Sequence, residues 1–424
     1  MVPGLIFIIF LPVIISPSPY SRSLVNKMEF SESLRTIRMS PIISISEEVR
    51  KRAPDFQKET GKKFILFQRG EIDFATPRYI IEAAKKALDD GYTKYPKSGG
   101  EDPLKDAVLE KLRTYNKVEG LTRENIICTY GGQEALELSF KLFEGKKGAG
   151  FAPCWSCVLE NFVPYCRIDF AEVPLKPDFS VDYAKLEQTL KDVAFFYLNS
   201  PHNPTGKLFT EEEVRRIVDL CRHYGVYIIS DEAYERIVYD GRTHFSPLSV
   251  DDPLILGAYT FSKTYAMTGW RLGYLVTRNP EIAKLGRLGD YTQTAGVVTF
   301  LQHAGAEALK NRQEEEKALA LMVGEFQKRR DALYNGLRQI GGTQVEKPEG
   351  AFYLFPNFTK LTPKNLDAEK RKYYVYDRLM EKGIASVYGS AFGKYFDDNV
   401  RLSFSTTPLA DITEAVERMK QVFA

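Results

Sequence analysis

From Asn125 to Thr277 short apolar runs alternate with amphipathic stretches of helical period, and this alternation constrains the chain more than any other feature. The runs "NIICTY", "VAFFYL", "VYIIS", "LILGAYTF" and "LGYLVT", each bounded by polar turns, read as buried strands. "GGQEALELSFKLF" follows the first as a turn and a helix. Between the second and third lies "TEEEVRRIVDLCRHYG", where Thr210 and Glu213 have capping-box spacing and Gly225 suits a helix end. Strand, helix and strand in this order predict an α/β fold, a mostly parallel sheet with helices on its faces. After Tyr291 a long charged helical region reaches "KRRDALYNGLRQIGG". Strand-like "GAFYLF", helical "AEKRKYYVYDRLMEKG" and strand-like "IASVYG" and "VRLSFST" follow it, the makings of a smaller α+β domain. A length of 424 residues agrees with two domains, since one core seldom serves so long a chain.

Composition narrows the partners. With 58 basic and 56 acidic residues and no basic stripe, the chain lacks the footprint of a nucleic-acid binder, and a small molecule is the expected partner. Five irregularly spaced cysteines disfavour a disulfide framework and suit the cytoplasm. Cys154 and Cys157 form a C-x-x-C, but no second pair or nearby histidine completes a zinc set, so no metal is expected. The run "GLIFIIFLPVII" near the start is of signal-peptide length, too short to span a bilayer, and has no basic residue before it. A true signal peptide would mean an exported protein; nothing downstream looks secreted, so the favoured reading of residues 1–38 is a misplaced start, with Met39 the working one and no membrane attachment.

In open sheets of this kind ligands bind at the carboxyl ends of the strands, so the residues after each apolar run matter most. Gly131 and Gly132 follow the first run, Asn203 the second through "NSPHNPTG", Asp231 and Tyr234 the third, and Lys263 the fourth, while Arg271 precedes the fifth. A lysine ending an apolar strand is either snorkelling to solvent or held for a purpose, such as a Schiff base with an aldehyde cofactor. Pyridoxal phosphate would make four further demands: a carboxylate for its pyridine nitrogen, a helix N-terminus and a cation for its phosphate, donors for its phenolic oxygen, and packing for its ring. Asp231, the Gly131-Gly132-Gln133 turn with Arg271, Asn203 with Tyr234, and Trp155 of "PCWSC" offer these groups. Each has an ordinary alternative, a helix cap, a plain turn, a solvated arginine or core packing; the conjunction carries the weight.

The set "NSPHNPTG", "SDEAYE", "SKTYAMTGWRLG" and "VRLSF", with "GEIDFATP", "YTKYP" and "GAFYLFP", closely resembles the fold type I, class I/II aminotransferases, over about Met39 to Ala424. The resemblance implies a large domain with a mostly parallel seven-stranded sheet flanked by helices, plus a smaller α+β domain. Its divisions would be an N-terminal extension at 1–38, a segment at 39–75 joining the small domain, the large cofactor-binding domain at 76–310, and the small domain at 311–424. Carried over residue by residue, it makes Lys263 the Schiff-base lysine and proton carrier, pairs Asp231 with the pyridine nitrogen, puts Asn203 and Tyr234 on the phenolic oxygen and stacks Trp155 on the ring. Phosphate contacts fall to Gly132, Gln133, Thr260, Ser262 and Arg271, with Tyr95 reaching the neighbouring subunit of a homodimer. Arg401 would grip the substrate α-carboxylate and Gly70 would approach the substrate, alongside Trp155 and Asn203.

The implied reaction is ping-pong transfer of an amino group from an L-amino acid, aspartate first and alanine or aromatic next, to a 2-oxo acid such as 2-oxoglutarate. Three features depart from the common pattern: Tyr388 where many members carry proline, a linker "EGKKGAG" before Trp155 that looks short, and Gln133. Lys141 is a candidate cation for a distal carboxylate, with a solvated helix lysine the alternative. A β-lyase of sulfur amino acids and a non-catalytic regulator share the scaffold. "MTGWRLGY" leans toward transamination, and the 38 residues before Met39 are too few and unpatterned for a helix-turn-helix module. No G-x-G-x-x-G, P-loop or G-x-S-x-G supports a nucleotide enzyme or a serine hydrolase.

Overall fold

The computed structural model describes residues 31–423, so the apolar run near the start lies outside the described residues. Its strands are β1 (Ile65–Leu66), β2 (Ile126–Thr129), β3 (Lys147–Ala152), β4 (Asp169–Pro174), β5 (Phe195–Asn199), β6 (Tyr227–Asp231), β7 (Ile255–Thr260), β8 (Gly273–Thr277), β9 (Tyr353–Leu354), β10 (Ile384–Ala385), β11 (Val387–Tyr388) and β12 (Val400–Ser403). Seven of them form one sheet in the order β2-β8-β7-β6-β5-β3-β4. Every pairing in it is parallel except those of β8, which runs antiparallel to both β7 and β2. The reason lies in the connection. Phe261–Leu272 holds only a helical turn at Phe261–Thr264 and a 3₁₀ turn at Thr268–Trp270, not a full crossover helix, so the chain returns antiparallel. That same connection carries Lys263 and Arg271.

The five apolar runs fall on β2, β5, β6, β7 and β8, each fully or almost fully buried, as strands covered on both faces should be. Helix Glu211–Tyr224 starts at Thr210, whose Oγ accepts from Glu213 N while Glu213 Oε2 accepts from Thr210 N, and it ends at Gly225 with φ 66°.

Three expectations need correction. "EGKKGAG" is not simply a linker, because its last four residues begin β3, an interior strand of the sheet. Two of its glycines are there for space: a Cβ on Gly148 would sit 2.2 Å from the Phe195 ring, and one on Gly150 2.9 Å from the Phe170 ring. The helical region near and beyond Tyr291 is three helices, Pro280–Thr294, Thr299–Lys310 and Arg312–Arg338, interrupted by left-handed backbone at Ala295 and Gly296 and restarted at Asn311, which caps the third. "IASVYG" splits across Ser386 into β10, parallel to β1, and β11, antiparallel to β12.

Beside the large sheet, β11-β12-β9 form a small antiparallel one packed with helices Arg312–Arg338 and Leu409–Phe423 around a second core that includes Phe326, Leu333, Phe352, Leu402 and Met419. Among the described residues no helix is long and apolar enough to cross a membrane, and all five cysteines are buried and unbonded.

Candidate active site

At the carboxyl ends of β5, β6 and β7 lies a cavity of about 450 Å³. Gly70, Gly132, Gln133, Trp155, Asn203, Asp231, Tyr234, Thr260, Ser262, Lys263, Arg271 and Arg401 all line it. Tyr95 does not: it is 91% exposed on its own chain, in a separate depression with Pro96 and Tyr291. Lys141 also stays outside, at the end of helix Gly131–Lys141, where it pairs with Glu144 at 2.9 Å; the solvated alternative holds for it.

One end of the cavity has groups that favour an anion. Helix Gly131–Lys141 begins at the end of β2, and its first amides have no partner within the helix. Gly131 has φ +79°, and a Cβ there would lie 2.8 Å from Arg271 Nη2, so a side chain is excluded where the guanidinium approaches the helix start. Arg271, itself left-handed at φ 57°, donates from Nη1 to Thr268 O at 2.8 Å. Thr260 and Ser262 join through their hydroxyls at 2.9 Å, and Thr260 Oγ also accepts from Ser262 N.

At the end of β6 Asp231 is buried, its Oδ2 accepting from Tyr197 Oη at 2.7 Å and its Oδ1 from Ala233 N at 3.1 Å. Burial pushes its pKa up to about 6 against these two donors. The neighbouring Glu232 is already engaged by Tyr259, Ser246 and His244. Asn203 is oriented twice: its backbone N donates to Asn199 Oδ1 at 2.7 Å, and its Oδ1 accepts from Arg401 Nη1 at 3.1 Å, leaving Nδ2 as its donor toward the cavity.

Lys263 Nζ donates to Gly70 O at 2.7 Å. Burial lowers its pKa to about 8, with Arg271 and Arg401 adding to the effect and Glu71 opposing it. Arg401 on β12 is fully buried, donates from Nη2 to Gln68 O at 2.8 Å and stacks on the Tyr353 ring, yet its Nε has no partner. No carboxylate pairs with it among the described residues. A guanidinium buried without a counter-ion is costly, and a carboxylate entering the cavity would offset that cost.

Sequence reasoning did not single out Tyr197, Asn199, Gln68 and Tyr353. The strand register places Asn199 opposite Asp231 and Tyr197 opposite Ile229, so Tyr197 and Asn199 share one face of β5. A polar-tipped residue inside the apolar run "FFYLN" was the available signal. A second cavity of about 720 Å³ shares Ile42, Gln133 and Trp155 with the first and continues between Ile37, Met39, Ile43 and Phe162.

The sequence matches the family described as Aminotransferase class I and II over residues 62–419. A probable aspartate aminotransferase of Methanocaldococcus jannaschii is 36% identical over 366 residues, which span 84% of this chain and 92% of that protein. An aspartate aminotransferase from Thermus thermophilus, solved with maleate, superposes with a TM-score of 0.84 at 29% identity, covering 93% of this chain and all of the other. An aromatic aminotransferase from Pyrococcus horikoshii superposes with a TM-score of 0.77 at 32% identity, covering 87% and 98%. With a lysine, a buried aspartate and an uncompensated arginine converging at the strand ends, and a match across most of its length, the chain belongs to the class I and II aminotransferases.

Proposed function

We propose that this aminotransferase works with pyridoxal 5'-phosphate and moves the amino group of L-aspartate to a 2-oxo acid such as 2-oxoglutarate. The observation that carries the proposal is Arg401, a buried guanidinium that pairs with no carboxylate among the described residues and shares its cavity with the Lys263 amine. The cavity suits the cofactor. A helix start whose glycine leaves no room for a Cβ, with Arg271 beside it, fits a phosphate, and Asp231, held by two donors and facing no bonded cation, fits a protonated ring nitrogen. Gly132, Gln133, Thr260, Ser262 and Arg271 would hold the phosphate, Asn203 and Tyr234 the phenolic oxygen, and Trp155 the ring face. When bound, the cofactor supplies an aldehyde that condenses with amines and a ring that withdraws electrons from the substrate α-carbon.

The chain's own residues do the rest. Arg401 grips the α-carboxylate by a bidentate pair and so fixes the α-carbon relative to Lys263, with the Gly70 backbone approaching the substrate. Lys263, with a pKa of about 8 in the cofactor-free fold, would take the α-proton and return it two atoms along, to the carbon on the other side of the amino nitrogen. Donor and acceptor both carry an α-carboxylate, so one arginine serves both halves of a ping-pong cycle. The exposed Tyr95 would complete the site of a second copy in a symmetric homodimer. In this reading residues 76–310 hold the cofactor, 39–75 join the smaller domain at 311–424, and the unbonded cysteines suit a cytoplasmic enzyme.

Aspartate is supported by the names of the relatives. Aromatic amino acids are the second candidate donors, favoured by the apolar cavity that opens beyond Trp155 and Ile42. The test is the visible spectrum of the purified protein during addition of single amino acids without an acceptor. A yellow band bleached by L-aspartate is expected. Bleaching by phenylalanine or tyrosine alone would move the assignment to aromatic donors, reaction without bleaching would favour a lyase, and a protein that stays colourless with added pyridoxal phosphate would reject the cofactor.

Arg401→Ala tests the grip. Loss of one side of a buried charge pair costs about 3 kcal/mol, so kcat/KM should fall by roughly two orders of magnitude for amino acid and oxo acid alike, mostly through KM. Unchanged KM for both substrates would reject the role.

A further inference from the structure

Tyr353 on β9 is buried, and three of the site's parts meet on it. Its hydroxyl lies 2.8 Å from the hydroxyl of Tyr234. Its ring lies 4.5 Å from the Arg401 guanidinium. A Cβ built on Gly70 would come within 2.4 Å of its hydroxyl oxygen, so Tyr353 is the reason position 70 excludes a side chain, and Gly70 is the residue whose carbonyl receives Lys263 Nζ.

We infer that Tyr353 is a positioning residue with two separable parts: its hydroxyl aims the proton of Tyr234 at the cofactor's phenolic oxygen, and its ring supports Arg401 for the substrate carboxylate. The first part rests on the reading that Tyr234 donates to that oxygen. A phenol has one O–H. If Tyr234 spends its proton on the cofactor, the contact between the two hydroxyls requires Tyr353 to donate and Tyr234 to accept. Tyr353 is free to do so, because Tyr234 is the one hydrogen-bond partner of its hydroxyl among the described residues. Donation into the Tyr234 oxygen also polarises the O–H of Tyr234 and strengthens its own bond. Burial raises the pKa of both phenols, so both keep their protons through the working pH range. The second part depends on the ring face alone, which a phenylalanine would keep.

The experiment uses the enzyme reconstituted with pyridoxal 5'-phosphate and follows the pH midpoint of its visible band. A donor to the phenolic oxygen stabilises that oxygen's charge most when no other proton shares it, and so lowers the midpoint. Tyr234→Phe is expected to raise the midpoint by about 1–2 pH units. Tyr353→Phe should raise it by about half a unit. The double variant should match Tyr234→Phe, because Tyr353 acts through Tyr234. Steady-state KM should stay near wild type in Tyr353→Phe and rise roughly fivefold for both substrates in Tyr353→Leu, which lacks the ring. A midpoint raised in Tyr234→Phe but unmoved in Tyr353→Phe overturns the hydroxyl's role alone, as do additive shifts in the double variant. A midpoint unmoved in both overturns the reading of Tyr234, and the hydroxyl's role with it. Unchanged KM in a folded Tyr353→Leu overturns the role of the ring.

Discussion

Lys263→Ala is expected to lower kcat by at least about 10⁴-fold, the upper range for a positioned acid–base group, since the same change also removes the nucleophilic amine. Among the described residues no other lysine lines the cavity. The change should spare the groups assigned to the cofactor: Asp231 keeps its bonds to Tyr197 and Ala233, and Arg271 its bond to Thr268. The variant should therefore still bind pyridoxal phosphate without a covalent link, which dialysis followed by absorbance can read. Single-turnover activity within tenfold of wild type would reject the assignment. A pH effect on stability accompanies it. In the cofactor-free fold Lys263 has a pKa of about 8, against 10.5 for the ordinary amine. Between these values the unfolded chain binds more protons, so this residue's contribution to stability rises with pH there. Below about pH 8 the buried ammonium opposes folding in full. Unfolding of wild type and Lys263→Ala by denaturant across pH 7–10 should show wild type gaining on the variant as pH rises.

How much of this could be read beforehand depends on distance along the chain. The strands ending at Asn199, Asp231 and Thr260 were legible because a sheet covered on both faces needs near-continuous apolar runs, and the residue after each run falls at the ligand-binding edge. The cap at Thr210 and the stop at Gly225 were legible because the interactions are local. β3 was not, since Gly148, which looks like part of a linker, is there to admit the Phe195 ring from the neighbouring strand β5, a contact invisible to composition. Tyr197 reaches Asp231 only through the register of β5 on β6, and Tyr353 reaches Tyr234 across 119 positions of chain. For Lys141 the sequence left two readings open for a related reason: helix periodicity says which face a lysine is on, but not whether it meets the cavity or, as here, pairs with Glu144 one turn later. Tyr95 is a different case, because its proposed role lies in another copy of the chain.

Asp231→Asn is the sharper test of the site's electronics. The two side chains are nearly the same shape, so packing is preserved, but the bonding is not. Both carboxylate oxygens accept, one from Tyr197 Oη and one from Ala233 N. An amide has one oxygen, so with that oxygen accepting from Ala233 N its NH₂ must donate to Tyr197 Oη, which reverses that bond, since a phenol oxygen accepts as well as donates. The larger effect is charge. Burial has raised the Asp231 pKa to about 6, which a protonated ring nitrogen alongside would bring back down, and the ionised carboxylate would in turn keep that nitrogen protonated. A neutral amide cannot. Glu232 cannot take over, because Tyr259, Ser246 and His244 already bind its carboxylate. Removal of a preorganised electrostatic contact of this kind costs about 10²–10³ in kcat. Arg401 is untouched, so KM for aspartate and 2-oxoglutarate should change little, the opposite of the pattern expected for Arg401→Ala. A variant with kcat within tenfold of wild type would show that the ring nitrogen does not depend on Asp231, and a loss confined to KM would place this carboxylate on the substrate instead.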